Sequence, residues 1–290
     1  MYETLSGGPP LQTPAPVLTA SGFEDGQMQG TILNAVQDIR SGIRMRSVWI
    51  ELAREDIGDQ HRRTTLGPFW LLVNYLAFAG TFVFVFRRGG AGMENYGAYV
   101  ATGLFVWFYI METITQSVSL FIREESFIKG TTLPLSVYVL RLVMQCTIRA
   151  GYALVGCIGI LLLSGIEFGL GWLWAVVGIV VVLAVSPAAI MISAFLGVYF
   201  PDSQFIVSNF MRIGMFLTPV FWTYEESTPV RHLFYYWNPF TYFLEIVRQP
   251  ILSGGLPLYE LGICVAIGLV LWAVALLLLG RLGKQVAFHI

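Results

Sequence analysis

The amino-acid sequence predicts an all-α membrane protein with six transmembrane helices, and three observations carry that expectation. Of its 290 residues, 56% are hydrophobic, 14% aromatic and only 12% charged, and mean hydropathy is +0.69. A soluble chain of this length carries about twice that share of charge. The apolar residues gather in six stretches, at 67–87, 97–120, 138–163, 172–199, 205–223 and 257–280. All but the marginal fifth reach the roughly 20 residues that a 30 Å hydrocarbon layer requires. The third observation is where the basic residues fall. With the N-terminus in the cytoplasm, that side holds Arg40, Arg44, Arg46, Arg54, Arg62, Arg63, Arg123, Lys129, Arg281 and Lys284. The other side holds Arg87, Arg88, Arg231 and Arg248. This bias puts both termini inside.

Residues 1–30 are rich in Gly, Pro, Thr and Ser and lack an apolar core, so they read as a disordered tail and not as a signal peptide. Residues 31–66 form a cytoplasmic or interfacial segment. Trp49, Leu52, Ala53 and Ile57 recur there at helical spacing, with Glu51, Arg54, Glu55 and Asp59 on other faces. That pattern fits an amphipathic helix on the membrane surface or under a partner. "HRRTTLGPFW" (61–70) then marks the entry to the six-span domain, 67–290. Its arginines suit the head-group layer, Pro68 suits a first helical turn, and Trp70 suits the water–lipid boundary.

The joints between stretches are polar, except for two. The 121–134 loop sets Phe121, Ile122, Phe127 and Ile128 among Arg123, Glu124, Glu125 and Lys129. It reads either as an interfacial helix resting on lipid or as a dock for a partner. The outer segment 224–256 is too apolar for a plain loop and is broken by Pro229, Pro239 and Pro250. Re-entrant helices before the last span fit both facts, and simple interfacial anchoring through Tyr235, Tyr236, Trp237 and Tyr242 is the alternative.

Catalytic signatures do not emerge. There is no G-x-x-x-x-G-K-[ST], and "LGKQ" near the C-terminus lacks the glycine spacing of a phosphate loop. No H-E-x-x-H, G-x-S-x-G or acidic pair at a span mouth is present, and no metal site is readable. Cys146, Cys157 and Cys264 all lie in apolar stretches without ligand spacing and read as small buried hydrophobes.

Three segments resemble one family. "RRTTLGPFWLLVNYLAFAGTFVFVF" is similar to the first span of permease subunits of type-2 ABC exporters for O-antigen and capsular polysaccharides. "ESFIKGTTLPLSVYVLRLV" is similar to their cytoplasmic loop and third-span start, and "WNPFTYFLEIVRQPIL" to their outer segment before the last span. The likeness runs from about residue 40 onward, with the three segments in the family's order. It implies a homodimer of six-span subunits in the bacterial inner membrane, with two copies of a separate ATPase on the cytoplasmic face. It also implies a path between the permeases for a lipid-linked polysaccharide. ATP and Mg²⁺ would be bound by that partner, with no cofactor in this chain. Membrane lipid is the expected surround, and no nucleic-acid partner is expected.

The resemblance favours the 121–134 loop as the coupling element, with Glu124, Phe127, Ile128 and Lys129 meeting the ATPase and Trp49 and Leu52 supporting it from the preceding segment. Arg141, Gln145 and Arg149 are spaced by four and form one stripe on the third span. An arginine at the bilayer centre costs about 2.5–3.5 kcal/mol unless it is paired, faces water or snorkels. Glu112 on the second span can reach Arg149, which leaves two readings: a structural ion pair, or a vestibule where Arg141 and Arg149 attract substrate phosphates. Tyr75, Phe78 and Phe82 share a face of the first span, and Phe216 and Trp222 lie on the fifth. Such rings either pack and face lipid, or stack on sliding sugars where the resembled family's first and fifth spans line the path. Rival expectations are a type-2 permease for teichoic acid, drugs or lipid, an integral membrane lipid-phosphate enzyme, and an ion-coupled carrier.

Overall fold

The computed structural model describes residues 20–62, 64–86, 95–224 and 229–290, and every regular element among them is helical. The expectations for residues 1–19, for Arg63, and for the joints at 87–94 and 225–228 lie outside the described residues. Among the described residues, four helical stretches are long and apolar enough to cross a bilayer: Tyr96–Ser117, Leu135–Leu163, Gly171–Tyr199 and Leu258–His289. Below, the end of the bundle bearing the 121–134 loop is called inner and the opposite end outer.

Helix α1 (Ala20–Arg44) starts eleven residues before the expected segment at 31, and Met45 separates it from α2 (Arg46–His61). Composition alone made 20–30 a poor helix. From Thr31 onward α1 packs on the inner ends of two later helices, α7 and α12. Asp38 of α1 performs a specific task at α7 (Leu135–Leu163), whose first N–H groups follow Pro134 and have no partner within the helix. Its carboxylate accepts from Leu135 N at 3.1 Å and Ser136 N at 3.0 Å, and its carbonyl accepts from Ser136 Oγ at 2.9 Å. A negative charge at a helix N-terminus is also favoured by the macrodipole.

Helix α3 (Phe69–Phe86) has 18 residues. Its Phe69 ring meets Tyr152 of α7, and Val83 faces Gly97 beside Ser164, so α3 runs along the outer part of α7. Tyr152 lies about 25 Å from the start of α7. The inner part of the same surface is covered by α2, which runs parallel to α7. The expected first span therefore begins well inside the bundle, and the turn at 62–68 joins two helices that share one flank.

Helix α4 (Tyr96–Ser117) is the hub, packed by α3, α7, α8 (Gly171–Tyr199), α9 (Ser203–Leu217) and α11 (Pro239–Ser253). Val100, Ala101, Leu104 and Trp107 along it are fully enclosed. Two short helices, α5 (Leu120–Arg123) and α6 (Glu125–Gly130), make the 121–134 loop.

The fifth apolar stretch departs most from expectation, because α9 has 15 residues, or about 22 Å, and stops at Leu217. Pro219 disfavours a helical conformation for the residue before it, and Thr218 is extended at φ −86°, ψ 144°. Residues 218–222 are instead tied to α4. Tyr96 Oη donates to the Phe221 carbonyl at 3.0 Å, and Tyr99 Oη to those of Pro219 and Trp222 at 3.1 and 2.9 Å.

The outer segment holds α10 (Pro229–Trp237) at the periphery and α11 inside the bundle. Helix α11 lies antiparallel to α8, its Pro250 and Ile246 carbonyls so close to Gly171 and Gly178 that a Cβ at either glycine would collide with them. At its other end, Pro239 and Phe240 share a cavity with Ser186 and Ser193, more than 20 Å further along α8. So α11 starts deep and climbs outward, which is a re-entrant course. Asn238 caps it, accepting from Phe240 N at 3.0 Å and donating to Thr218 Oγ1 at 2.7 Å. The last span, α12 (Leu258–Leu282), leads through a 3₁₀ turn to α13 (Val286–His289).

Candidate functional site

The arginine stripe of α7 lies under α2. Arg141 makes a bidentate pair with Asp56, through Nε and Nη2 at 2.7 Å each, and its Nη1 donates to Glu124 at 3.0 Å. Gln145 also donates to Asp56. One helical turn farther in sequence, Arg149 pairs with Glu112 of α4 and donates to Gln60 at 2.8 Å, while Gln116 donates to Glu112 at 2.9 Å. The Glu112–Arg149 ion pair is therefore present, and Arg141 has two carboxylates of its own. Asp56 and Gln60 escaped notice in the sequence, although their i, i+4 spacing matches that of Arg141, Gln145 and Arg149.

Above that pair opens a groove of about 390 Å³ between α3, α4 and α7. Glu112, Thr115 and Arg149 lie at its inner end, and Asn74, Tyr75, Phe78 and Phe108 continue it outward. The two candidate groups, charge and aromatics, thus share one concavity. Tyr75 points inward: it is 2% exposed, and its hydroxyl donates to the Ala101 carbonyl at 2.8 Å. Phe78 is 46% exposed and meets Phe108 edge-on at 5.3 Å. A second cavity of about 290 Å³ between α4, α8, α11 and α12 has no charged side chain in its lining.

The rings of α3 and α9 form a continuous row. Phe78 meets Phe82 at 5.5 Å, Phe82 stacks on Phe221 at 4.0 Å and 12°, and Phe221 meets Phe216 at 6.1 Å. Trp222 Nε1 donates to the Phe216 carbonyl at 3.1 Å, which fixes the far end. Phe78, Phe82, Phe216 and Trp222 are thereby brought together, with Phe221 as the link, whereas Arg141 lies apart at the inner end.

At that inner end Phe127 is 53% exposed, Ile128 is packed against the core, and Lys129 pairs with Glu125 at 2.7 Å and with the Ile290 backbone oxygen at 2.5 Å. Glu124 faces inward to Arg141. Trp49 Nε1 donates to the Gly42 carbonyl at 3.2 Å, bracing the α1–α2 turn, and Leu52 is half-buried.

On the outer side, Arg248 of α11 is 1% exposed. Its Nη1 donates to the Pro219 carbonyl at 2.8 Å and to Glu245 at 2.9 Å, and its guanidinium lies 3.7 Å from the Tyr99 ring centre. Gly103 makes this possible, because a Cβ there would collide with Nη2. Arg248 therefore clamps the re-entrant helix to the 218–222 turn and to α4.

The chain is a multi-pass helical bundle with a charged inner groove, an exposed inner loop and a re-entrant outer helix, an arrangement that suits a membrane transport subunit. Residues 46–252 match the ABC-2 type transporter family, and the chain belongs to that family. Two O-antigen export system permease proteins, RfbA of Klebsiella pneumoniae, are each 24% identical to it over 240 and 241 residues, covering 82% of this chain and 93% of each relative.

Proposed function

We propose that this chain is the permease subunit of an ATP-driven exporter that moves a lipid-linked polysaccharide, O-antigen or capsule, across the bacterial inner membrane. It works as a homodimer with two copies of a separate ABC ATPase, which binds the ATP and Mg²⁺, and both termini are cytoplasmic. The observation that carries this reading is the groove between α3, α4 and α7, charged at its inner end and aromatic along its length, in a chain similar to O-antigen permeases. A glycolipid offers matching chemistry: polar groups for the inner end and sugar faces that stack on rings. Weak repeated ring contacts suit a polymer that must slide. The exposed loop apex at Phe127 is the proposed ATPase contact, where burying one large side chain recovers about 1.5–3 kcal/mol.

The test is reconstitution of the permease with its partner ABC ATPase in liposomes that carry the lipid-linked glycan only in the leaflet facing the ATPase. ATP-dependent movement of the glycan, lost on Phe78→Ala together with Phe82→Ala, supports the reading. Transport of simple phospholipid with no response to the glycan would overturn it.

A further inference from the structure

Phe205, Asn209, Arg212 and Phe216 of α9 follow one another at steps of four, three and four and so share one helical face. All four are exposed. They point away from Gly214, the opposite face, which packs on Trp107 of α4. Arg212 stands about 14 Å from the start of α9. Among the described residues, Arg141, Arg149 and Arg248 each pair with a carboxylate, whereas Arg212 has neither an ion pair nor a hydrogen bond. A lone cation at that depth is kept only where it meets water or a counter-charge. A guanidinium binds phosphate through two parallel hydrogen bonds. The Asn209 amide adds a donor one turn away, and the rings at either end offer apolar faces.

We propose that Arg212 and Asn209 form a phosphate-binding site on the transport path, receiving the phosphate of a lipid-linked substrate while Phe205 and Phe216 flank its apolar or sugar portion. The site rests on the export reading above, and its ligand is the phosphate of the transported lipid, not that of the surrounding bilayer.

The test uses the full chain in phosphatidylcholine nanodiscs, titrated with farnesyl diphosphate and, separately, with farnesol. Wild type binds the diphosphate and not the alcohol. Arg212→Gln weakens that binding at least about tenfold, as loss of a charge-assisted contact does, and Arg212→Lys weakens it by about threefold. Equal binding by wild type and Arg212→Gln overturns the site and leaves the export reading intact. Failure of wild type to bind the diphosphate at all also overturns the site, while the export reading stands or falls on the glycan-transport assay above. Loss of the Arg212 dependence when phosphatidylglycerol replaces part of the phosphatidylcholine identifies bilayer head groups as the ligand and overturns the assignment.

Discussion

Helices α9 and α12 both leave a broad face uncovered, yet the two faces differ in kind. The exposed positions of α12 through the membrane are Val265, Ala266, Leu269, Val270, Ala273, Val274 and Leu277. That is a surface made for lipid tails. On α9 the exposed positions alternate Phe205, Ile206, Phe210, Ile213 and Phe216 with Gln204, Asn209 and Arg212. Exposure in a membrane protein therefore has two meanings. A uniformly apolar face is finished as it stands, whereas an apolar face interrupted by an arginine requires water, a ligand or another protein surface.

The largest effect should come from moving the charge between these faces. Leu269→Arg places an unpaired cation in the α12 surface and should cost about 2.5–3.5 kcal/mol of insertion or assembly. The reverse change, Arg212→Leu, should leave folding intact. Yields of membrane-integrated, monodisperse protein check both, and equal tolerance of the two changes would dissolve the contrast between the helices.

Next comes the paired arginine. Glu112→Gln leaves Arg149 without its carboxylate and should lower stability by about 3 kcal/mol, at the low end for a broken buried pair because Glu112 is partly exposed. Adding Arg149→Gln should recover part of that loss. A thermal-unfolding series in detergent measures the coupling, and strict additivity would mean that the pair does not hold α4 to α7.

Smaller still, Phe78→Ala should cost less than about 1 kcal/mol, since the ring is nearly half exposed. It should slow glycan export measurably. Smallest of all on stability, Phe127→Asp should shift unfolding by no more than about 0.5 kcal/mol while reducing co-purification of the ATPase. Normal co-purification would remove the loop apex from the dock.

Much of this architecture was legible in the sequence because membrane spanning is written in long apolar runs and in the bias of Lys and Arg. The α7 and α8 boundaries fell within a few residues of the expected ones for that reason. The end of α9 was not legible from apolarity, since residues 219–222 remain apolar after the helix stops. Pro219 was the local signal, acting on Thr218. The start of α1 was not legible because residues 20–30, with Gly22, Gly26 and Gly30, have a composition poor for a helix. Of the site, the Arg141–Gln145–Arg149 stripe and the ring positions could be read from spacing. Their partners Asp56 and Gln60 could not, because both are brought in by α2, far from the stripe in sequence. Arg212 is a charge within the apolar stretch 205–223, but only the packed structure reveals that Arg141, Arg149 and Arg248 have carboxylates and it does not.

The contrast between the helices requires that the exposed faces of α3 and α9 meet an aqueous path while that of α12 meets lipid. Single cysteines settle it most directly, in a background where Cys146, Cys157 and Cys264 are all buried. Phe78→Cys, Phe216→Cys and Leu269→Cys would each be exposed to a water-soluble, membrane-impermeant thiol reagent in the assembled exporter during ATP turnover. Modification at 78 and 216 is expected at rates at least about tenfold above that at 269, where hydrocarbon excludes both reagent and thiolate. Equal rates at all three positions, or reaction at 269 alone, would contradict it.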